Sequence, residues 1–169
     1  MATHGTELKQ ERESRNIGQP SIMGTEEEIG QQQKPREVVR MQFPSHPRFV
    51  AQMRRFVFDT CIGSGFSNAA AFDLKVITGE ALTNIIKYAY DNRTDRPVFL
   101  EMFFYRTYLE MRIKDMGKRS PVGQNLARDL SDYRESGLGI FLISHLSDYH
   151  YFDQSADVGT TLVIKKRIR

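Results

Sequence analysis

The sequence predicts one α/β domain preceded by a polar tail, and three observations carry that reading. Val39, Met41 and Phe43 alternate with Arg40 and Gln42, which is strand parity. The segment EALTNIIKYAY, residues 80 to 90, is apolar with helical spacing and offers Ile85, Ile86 and Ala89 for burial. The runs Val98 to Tyr105 and Tyr108 to Asp115 read as a strand pair turning at Arg106 and Thr107.

Residues 1 to 36 hold mostly Glu, Gln, Lys, Arg, Ser and Gly without a sustained period, the composition of a disordered tail, so the domain is placed at 37 to 169. Pro44 ends the first strand. Ser45 or His46 is placed to cap a helix with Pro47 in its first turn, and Phe49, Met53, Phe56 and Val57 mark its buried stripe. Gly63 and Gly65 supply the turn, and Ser67 or Asn68 caps a second helix predicted to run to about Tyr90. In the second strand of the pair, Leu109, Met111, Ile113 and Asp115 share one face and Glu110, Arg112 and Lys114 the other, so Asp115 points with the core. Residues 116 to 136 form a connection of the length typical of functional lids, in which Leu126, Leu130 and Tyr133 suit one short amphipathic helix. A helix from about Gly139 to Leu146 and two strands, about 148 to 153 and 159 to 167, complete the domain.

With 169 residues, 40% hydrophobic and 11% aromatic, the chain can bury one sizeable core. Its single cysteine, Cys61, excludes an internal disulfide framework and reads as a buried, inert thiol of a cytoplasmic protein. No stretch approaches the ~20 apolar residues of a membrane span, and the N-terminus lacks the apolar core of a signal peptide. A net charge of +3 is too small an excess to indicate direct nucleic-acid binding. The closing run Lys165, Lys166, Arg167 and Arg169 reads as a solvated strand end that resists edge pairing.

Four signals bear on chemistry. Glu80 and Asn84 lie four residues apart and share a helix face. They are either an exposed polar face or a general base beside an oxygen ligand for Mg²⁺. Lys87, one turn on, is either a phosphate contact or a solvated lysine. Asp115, at a strand end on the apolar face and followed by Gly117, is either an Asp-x-Gly turn or an acceptor for an adenine amino group that the glycine allows to approach. Gly137 and Gly139 precede an apolar helix, where bare amides bind phosphate. Thr160 in Gly159-Thr160-Thr161 points its hydroxyl inward at the start of the last strand. No P-loop or complete GxGxxG fingerprint occurs.

In this order, Glu80-x-x-x-Asn84, Asp115-x-Gly117, Gly137-x-Gly139 and Gly159-Thr160 resemble the N box and glycine boxes of the Bergerat-fold (GHKL, histidine-kinase-like) ATPases. EALTNIIKYAY and GLGIFLI resemble in particular the anti-sigma factor serine/threonine kinases of the RsbW and SpoIIAB type, over about residues 37 to 167. The resemblance implies a two-layer α/β sandwich with a mixed, mostly antiparallel sheet, ATP and Mg²⁺ as cofactors, and a lid at about 117 to 136. It implies Glu80 as catalytic base, Asn84 as Mg²⁺ ligand, Asp115 as adenine contact, and Gly137 with Gly139 as phosphate loop. Lys118, Arg119, Arg128 and Arg134, by their number in one long loop, are either lid cations that help cover the phosphates or members of a solvated loop. The implied activity is phosphorylation of a serine or threonine on an anti-anti-sigma (STAS) protein by a homodimer that also sequesters a sigma factor. Arg48, Arg54 and Arg55 on the first helix are the expected sigma-facing residues.

Other readings are a nucleotide-gated binding protein of the same fold without kinase activity, a sensor histidine kinase fragment, and a nucleic-acid module. The histidine kinase reading lacks a phosphoacceptor helix before the N box and coiled-coil heptads in the tail. Three departures from the family pattern stand out: Tyr88 where histidine is usual, Lys118-Arg119 where a second glycine and an aromatic residue are common, and the long N-terminal tail.

Overall fold

The computed structural model describes residues 34–119 and 135–168. The predicted tail to residue 33 lies outside them, as do Leu126, Leu130, Tyr133, Arg128 and Arg134 of the predicted lid.

The elements run β1 (Glu37–Pro44), α1 (Arg48–Gly63), α2 (Asn68–Asn84), a π-helical turn (Ile85–Ala89), β2 (Pro97–Phe104), β3 (Tyr108–Lys114), α3 (Glu135–Leu146), β4 (Tyr149–Asp153) and β5 (Thr161–Arg167). The strands form one sheet in the order β1-β2-β3-β5-β4. All four pairings are antiparallel, which corrects the expected mixed sheet to a wholly antiparallel one among the described residues. Register keeps like with like across it: Met41 faces Leu100, Leu100 faces Ile113, and Ile113 faces Leu162. That row and its neighbours Met102, Met111 and Ile164 are buried against Val57, Cys61, Leu74 and Ile77 of α1 and α2 and Ile143 of α3. The fold is therefore a helical layer on one face of a sheet, because each strand buries alternate residues and each helix a single stripe.

Local chemistry explains most element ends. The Ser67 hydroxyl accepts the Ala70 N–H at 3.2 Å and caps α2 as predicted. Gly65 has φ +89°, which a side chain would resist, and makes the turn between the first two helices. The start of α1 differs from expectation. Pro47 is its N-cap residue and makes no side-chain cap. His46 Nδ1 accepts the Arg48 N–H at 3.2 Å from one position earlier, while the Ser45 hydroxyl donates to the Arg93 carbonyl at 2.5 Å.

The closing basic run is built into the structure. Lys166 bonds the Asp73 carboxylate at 2.8 Å and the Leu146 carbonyl, at the end of α3, at 2.7 Å. Lys165 pairs with Glu110 at 3.5 Å and Arg167 with Asp148 at 3.4 Å. The predicted solvated end is thus corrected in part: Lys165 and Lys166 are partly buried beside Glu110 of β3 and Asp73 of α2, whereas Arg167 stays exposed beside Asp148. Cys61 is fully buried, and desolvation pushes its thiol up to about 12, as suits an inert core group. Among the described residues no helix is long and apolar enough to cross a membrane.

Candidate nucleotide site

The α2 helix carries Glu80 and Asn84 on one face, and α3 crosses that face at Gly139. A β-carbon on Gly139 would stand 2.8 Å from Glu80 Oε2, 3.4 Å from Asn84 Nδ2 and 3.7 Å from Asn84 Oδ1. The glycine therefore leaves room for the carboxylate and carboxamide where the two helices approach. Neither side chain has a hydrogen-bond or ion-pair partner among the described residues.

Two sequence expectations change here. Gly137 and Gly139 were expected to precede their helix, but α3 already begins at Glu135. Gly137 lies in its first turn, where backbone N–H groups still lack an intrahelical acceptor. Gly139 lies deeper, so its contribution is the close approach and not a free amide. The second helix also does not run as α-helix to Tyr90. It widens after Asn84 into the π turn, in which the Tyr90 N–H bonds the Ile85 carbonyl five residues back at 3.0 Å. Lys87 and Tyr88 are exposed on that turn, so Tyr88 projects to solvent.

A second cluster forms at the end of β3. Asp115 is 4% exposed, as its parity predicts. Its N–H donates to the Thr160 carbonyl at 3.0 Å, and its carboxylate accepts the Gly117 N–H at 2.8 Å. Burial raises the Asp115 carboxyl above its ordinary range, while the amides of Gly117 and Thr160 pull the other way. The turn is pressed against the end of the π segment. The Lys118 N–H donates to the Ala89 carbonyl at 3.0 Å, and a β-carbon on Gly117 would lie 2.3 Å from that carbonyl oxygen. From the other side Gly159, at φ +80°, approaches the Asp115 carbonyl so closely that a β-carbon would lie 2.0 Å from it. Thr160 joins the cluster through its backbone, and its hydroxyl accepts from Gln154 at 3.2 Å.

The two clusters are carried by one continuous helix, with Asn84 and Ala89 five residues or on the order of 7 Å apart along its axis. An open cleft of about 410 Å³ adjoins the second cluster, lined in part by Ala89, Tyr90, Arg96, Met116 and Gly117. Of the predicted lid cations, Lys118 is paired with Asp91 and Arg119 donates to the Ala156 carbonyl. Arg54, expected on the exposed face of α1, is folded over Gly79. A β-carbon there would lie 2.9 Å from Arg54 Cδ, and Arg54 Nε is buried without a hydrogen-bond partner.

Among the described residues no group of three or more His, Cys, Asp or Glu side chains converges as a cation cage. Two unpartnered oxygen-bearing side chains instead fit Mg²⁺, which takes few protein ligands and completes its shell with phosphate and water oxygens. Sequence reasoning did not single out Tyr90 or the π turn, since an inserted residue leaves no mark in a 3.6-residue period.

The model of the histidine kinase-like ATPase domain family matches residues 43–166. The serine-protein kinase RsbW of Listeria monocytogenes serovar 1/2a is 30% identical over 139 residues, spanning 76% of this chain and 88% of that protein. The RsbW of Bacillus cereus is 28% identical over 141 residues, 79% and 86% of the two chains. That of Oceanobacillus iheyensis is 27% identical over 121 residues, 66% and 76%.

Proposed function

The chain belongs to the histidine kinase-like ATPase family, in its RsbW-type branch, and on that premise we propose that it is an ATP- and Mg²⁺-dependent anti-sigma kinase. In this reading it phosphorylates a serine or threonine of an anti-anti-sigma (STAS) protein and otherwise holds a sigma factor inactive. The observation that carries the proposal is the convergence of Glu80, Asn84 and Gly139, two polar side chains without a partner among the described residues, facing a glycine that leaves room beside them.

Each residue has a distinct task. Asp115, anchored by the Gly117 amide, accepts the adenine amino group, and Gly117 keeps the base's approach open. The first-turn amides of α3 at Gly137 receive phosphate, and Lys87, on the π turn that continues α2, is a further cation. The Asn84 side-chain oxygen would ligate Mg²⁺, which would supply charge neutralisation to the phosphates when bound. Glu80 takes the proton of the attacking hydroxyl as its oxygen bonds to the γ-phosphorus and ADP departs. A positioned general base of this kind contributes typically 10²–10⁴-fold.

Partner binding is assigned to other surfaces. The exposed Arg48 and Arg55 of α1 suit a sigma factor, with Arg54 turned inward beside them. A homodimer is supported by the aromatic side chains on the sheet's outer face, among them Tyr149 at 44% and Tyr151 at 43% exposure. The decisive experiment mixes the purified protein with radiolabelled ATP, Mg²⁺ and the STAS protein encoded nearby. Label on a serine or threonine of the STAS protein is expected. Nucleotide binding without transfer would support a nucleotide-gated binding protein in place of a kinase.

A further inference from the structure

Tyr90 stands where three segments meet. Its ring is buried at 5% exposure, and its hydroxyl donates to the Pro97 carbonyl at 2.5 Å while accepting the Met116 N–H at 2.7 Å. Met116 is the residue between Asp115 and Gly117. Each backbone amide from Asp115 to Lys118 consequently has its own acceptor: the Thr160 carbonyl, the Tyr90 hydroxyl, the Asp115 carboxylate and the Ala89 carbonyl, in that order. Three of these acceptors are backbone carbonyls or lie within the turn. Only the amide of Met116 depends on a side chain from another element.

The π turn delivers that side chain. Because the Tyr90 N–H bonds the carbonyl five residues back, the segment holds one residue more than an α-helical turn. Without the inserted residue Tyr90 would be rotated by about 100° about the helix axis and its hydroxyl would leave the turn.

We propose that Tyr90 is a positioning residue for base recognition: its hydroxyl, oriented by Pro97, fixes the peptide between Asp115 and Met116 and so aims the Asp115 carboxylate at the purine. The proposal rests on the nucleotide-binding reading given above. Its consequence is discrimination. A carboxylate held in one direction accepts from the amino group of adenine and opposes the carbonyl oxygen that guanine presents at the same position. A carboxylate on a loosened turn swings away from both, which loses the attraction and relieves the repulsion. Burial, with the nearby charge of Asp115, raises the phenol above its ordinary range. The hydroxyl therefore stays protonated near neutral pH, serving the Pro97 carbonyl with its hydrogen and Met116 with a lone pair.

Tyr90→Phe removes the hydroxyl and keeps the ring. Calorimetry should show ATP binding weakened about tenfold, the scale of one lost buried hydrogen bond. GTP binding should stay within about twofold, so the ATP-to-GTP preference shrinks. KM for ATP should rise with kcat little changed. Ser45→Ala serves as the comparison. The Ser45 hydroxyl donates to the Arg93 carbonyl and accepts the Arg96 N–H at 3.2 Å, but touches nothing in residues 115–118. It should lower thermal stability and leave the nucleotide preference intact. An unchanged ATP-to-GTP ratio in Tyr90→Phe, or an equal change in Ser45→Ala, would overturn the proposal.

Hydrogen exchange on the wild-type protein keeps the test open if Tyr90→Phe does not fold. The Met116 amide should be protected to the same degree as that of Asp115, and exchange at the rate of a free amide would overturn the proposal. A wild-type protein that binds neither nucleotide would instead overturn the nucleotide reading, and this proposal with it.

Discussion

Replacing Gly139 by alanine tests whether the crossing of α2 and α3 holds Glu80 where chemistry needs it. The new β-carbon would lie 2.8 Å from Glu80 Oε2, and ordinary contact begins at 3.4 Å, so the carboxylate must retreat by about 0.6 Å. The obstructing atom is the far end of a flexible side chain, which makes the fold tolerant. Alanine gains up to about 1 kcal/mol over glycine in a helix interior. A displaced Glu80 rotamer costs about 0.5–1.5 kcal/mol, so the two offset within about 1 kcal/mol. The melting temperature should move by only a few degrees, roughly 2–8 °C per kcal/mol in domains of this size range. Chemistry is less forgiving. A base must reach its proton at about 2.6–3.2 Å, and a misplacement of about 1 Å costs on the order of 100-fold. Transfer to the STAS protein at saturating ATP should therefore fall about ten- to a hundredfold, with Tm measured in parallel. Transfer within twofold of wild type would refute the claim that this crossing positions the base. A fall accompanied by a large loss of Tm would mean that packing, and not the carboxylate, had been disturbed.

Glu80→Gln keeps size and polarity but removes the base, so phosphate transfer should fall by at least about 10² while ATP and sigma-factor binding survive; transfer near the wild-type rate would dismiss Glu80 as base. Gly117→Ala places a β-carbon 2.3 Å from the backbone oxygen of Ala89, which cannot swing aside, and should lower both Tm and ATP affinity, with a wild-type melt counting against the close approach. Asp115→Asn retains an acceptor for the Gly117 amide but loses the charge, so ATP should bind about tenfold more weakly. The Asp115 carboxyl is raised in the folded state, so its contribution to stability is present below its ordinary 3.8 and lost as pH rises through the raised value. The same variant should therefore melt higher than wild type at pH 7, and a lower Tm there would contradict the sign. His150 is held below its ordinary 6.5 by burial, so its contribution is present above 6.5 and lost as pH falls through the depressed value. Thermal melts should weaken from pH 7.5 to 5, and His150→Leu should flatten that slope; an equally steep slope in the variant would exclude His150 as its source.

Much of the fold was legible because burial is one-sided. The alternation of Val39, Met41 and Phe43 and of Leu109, Met111, Ile113 and Asp115 follows the pleat, and residues such as Met111 and Ile113 are fully or almost fully buried where the pattern placed them. Features that depend on a neighbour in space were not legible. Glu110 has the parity of the outer face yet is 7% exposed, because Arg112 and Lys165 enclose its carboxylate. Lys166 read as solvated because Asp73, which meets it, lies at an unrelated position in the chain. The start of α3 was placed four residues late because two glycines suggested a loop, whereas the helix accepts Gly139 to gain closeness to Glu80 and Asn84.

Several positions that break local rules lie in the two clusters, and this gives the functional reading weight beyond motif order. Gly139 costs a helix roughly 1 kcal/mol relative to alanine, the π turn departs from regular hydrogen bonding, and Asp115 buries a carboxylate that desolvation disfavours. Gly117 and Gly159 are both required by backbone oxygens that approach within 2.3 Å of where a side chain would begin. The glycines and the Asp115 carboxylate add nothing to the core formed by Leu74, Ile77, Leu100, Met111 and Ile164, although the π turn does bury Ile85 and Ala89 in it. Such costs persist where the arrangement itself is used. All of them lie on one helix or on segments touching it, with the Glu80 carboxylate at one end and the Asp115 carboxylate at the other. That separation along one helix is what the proposed reading asks of a site that holds a base and a phosphate chain at once.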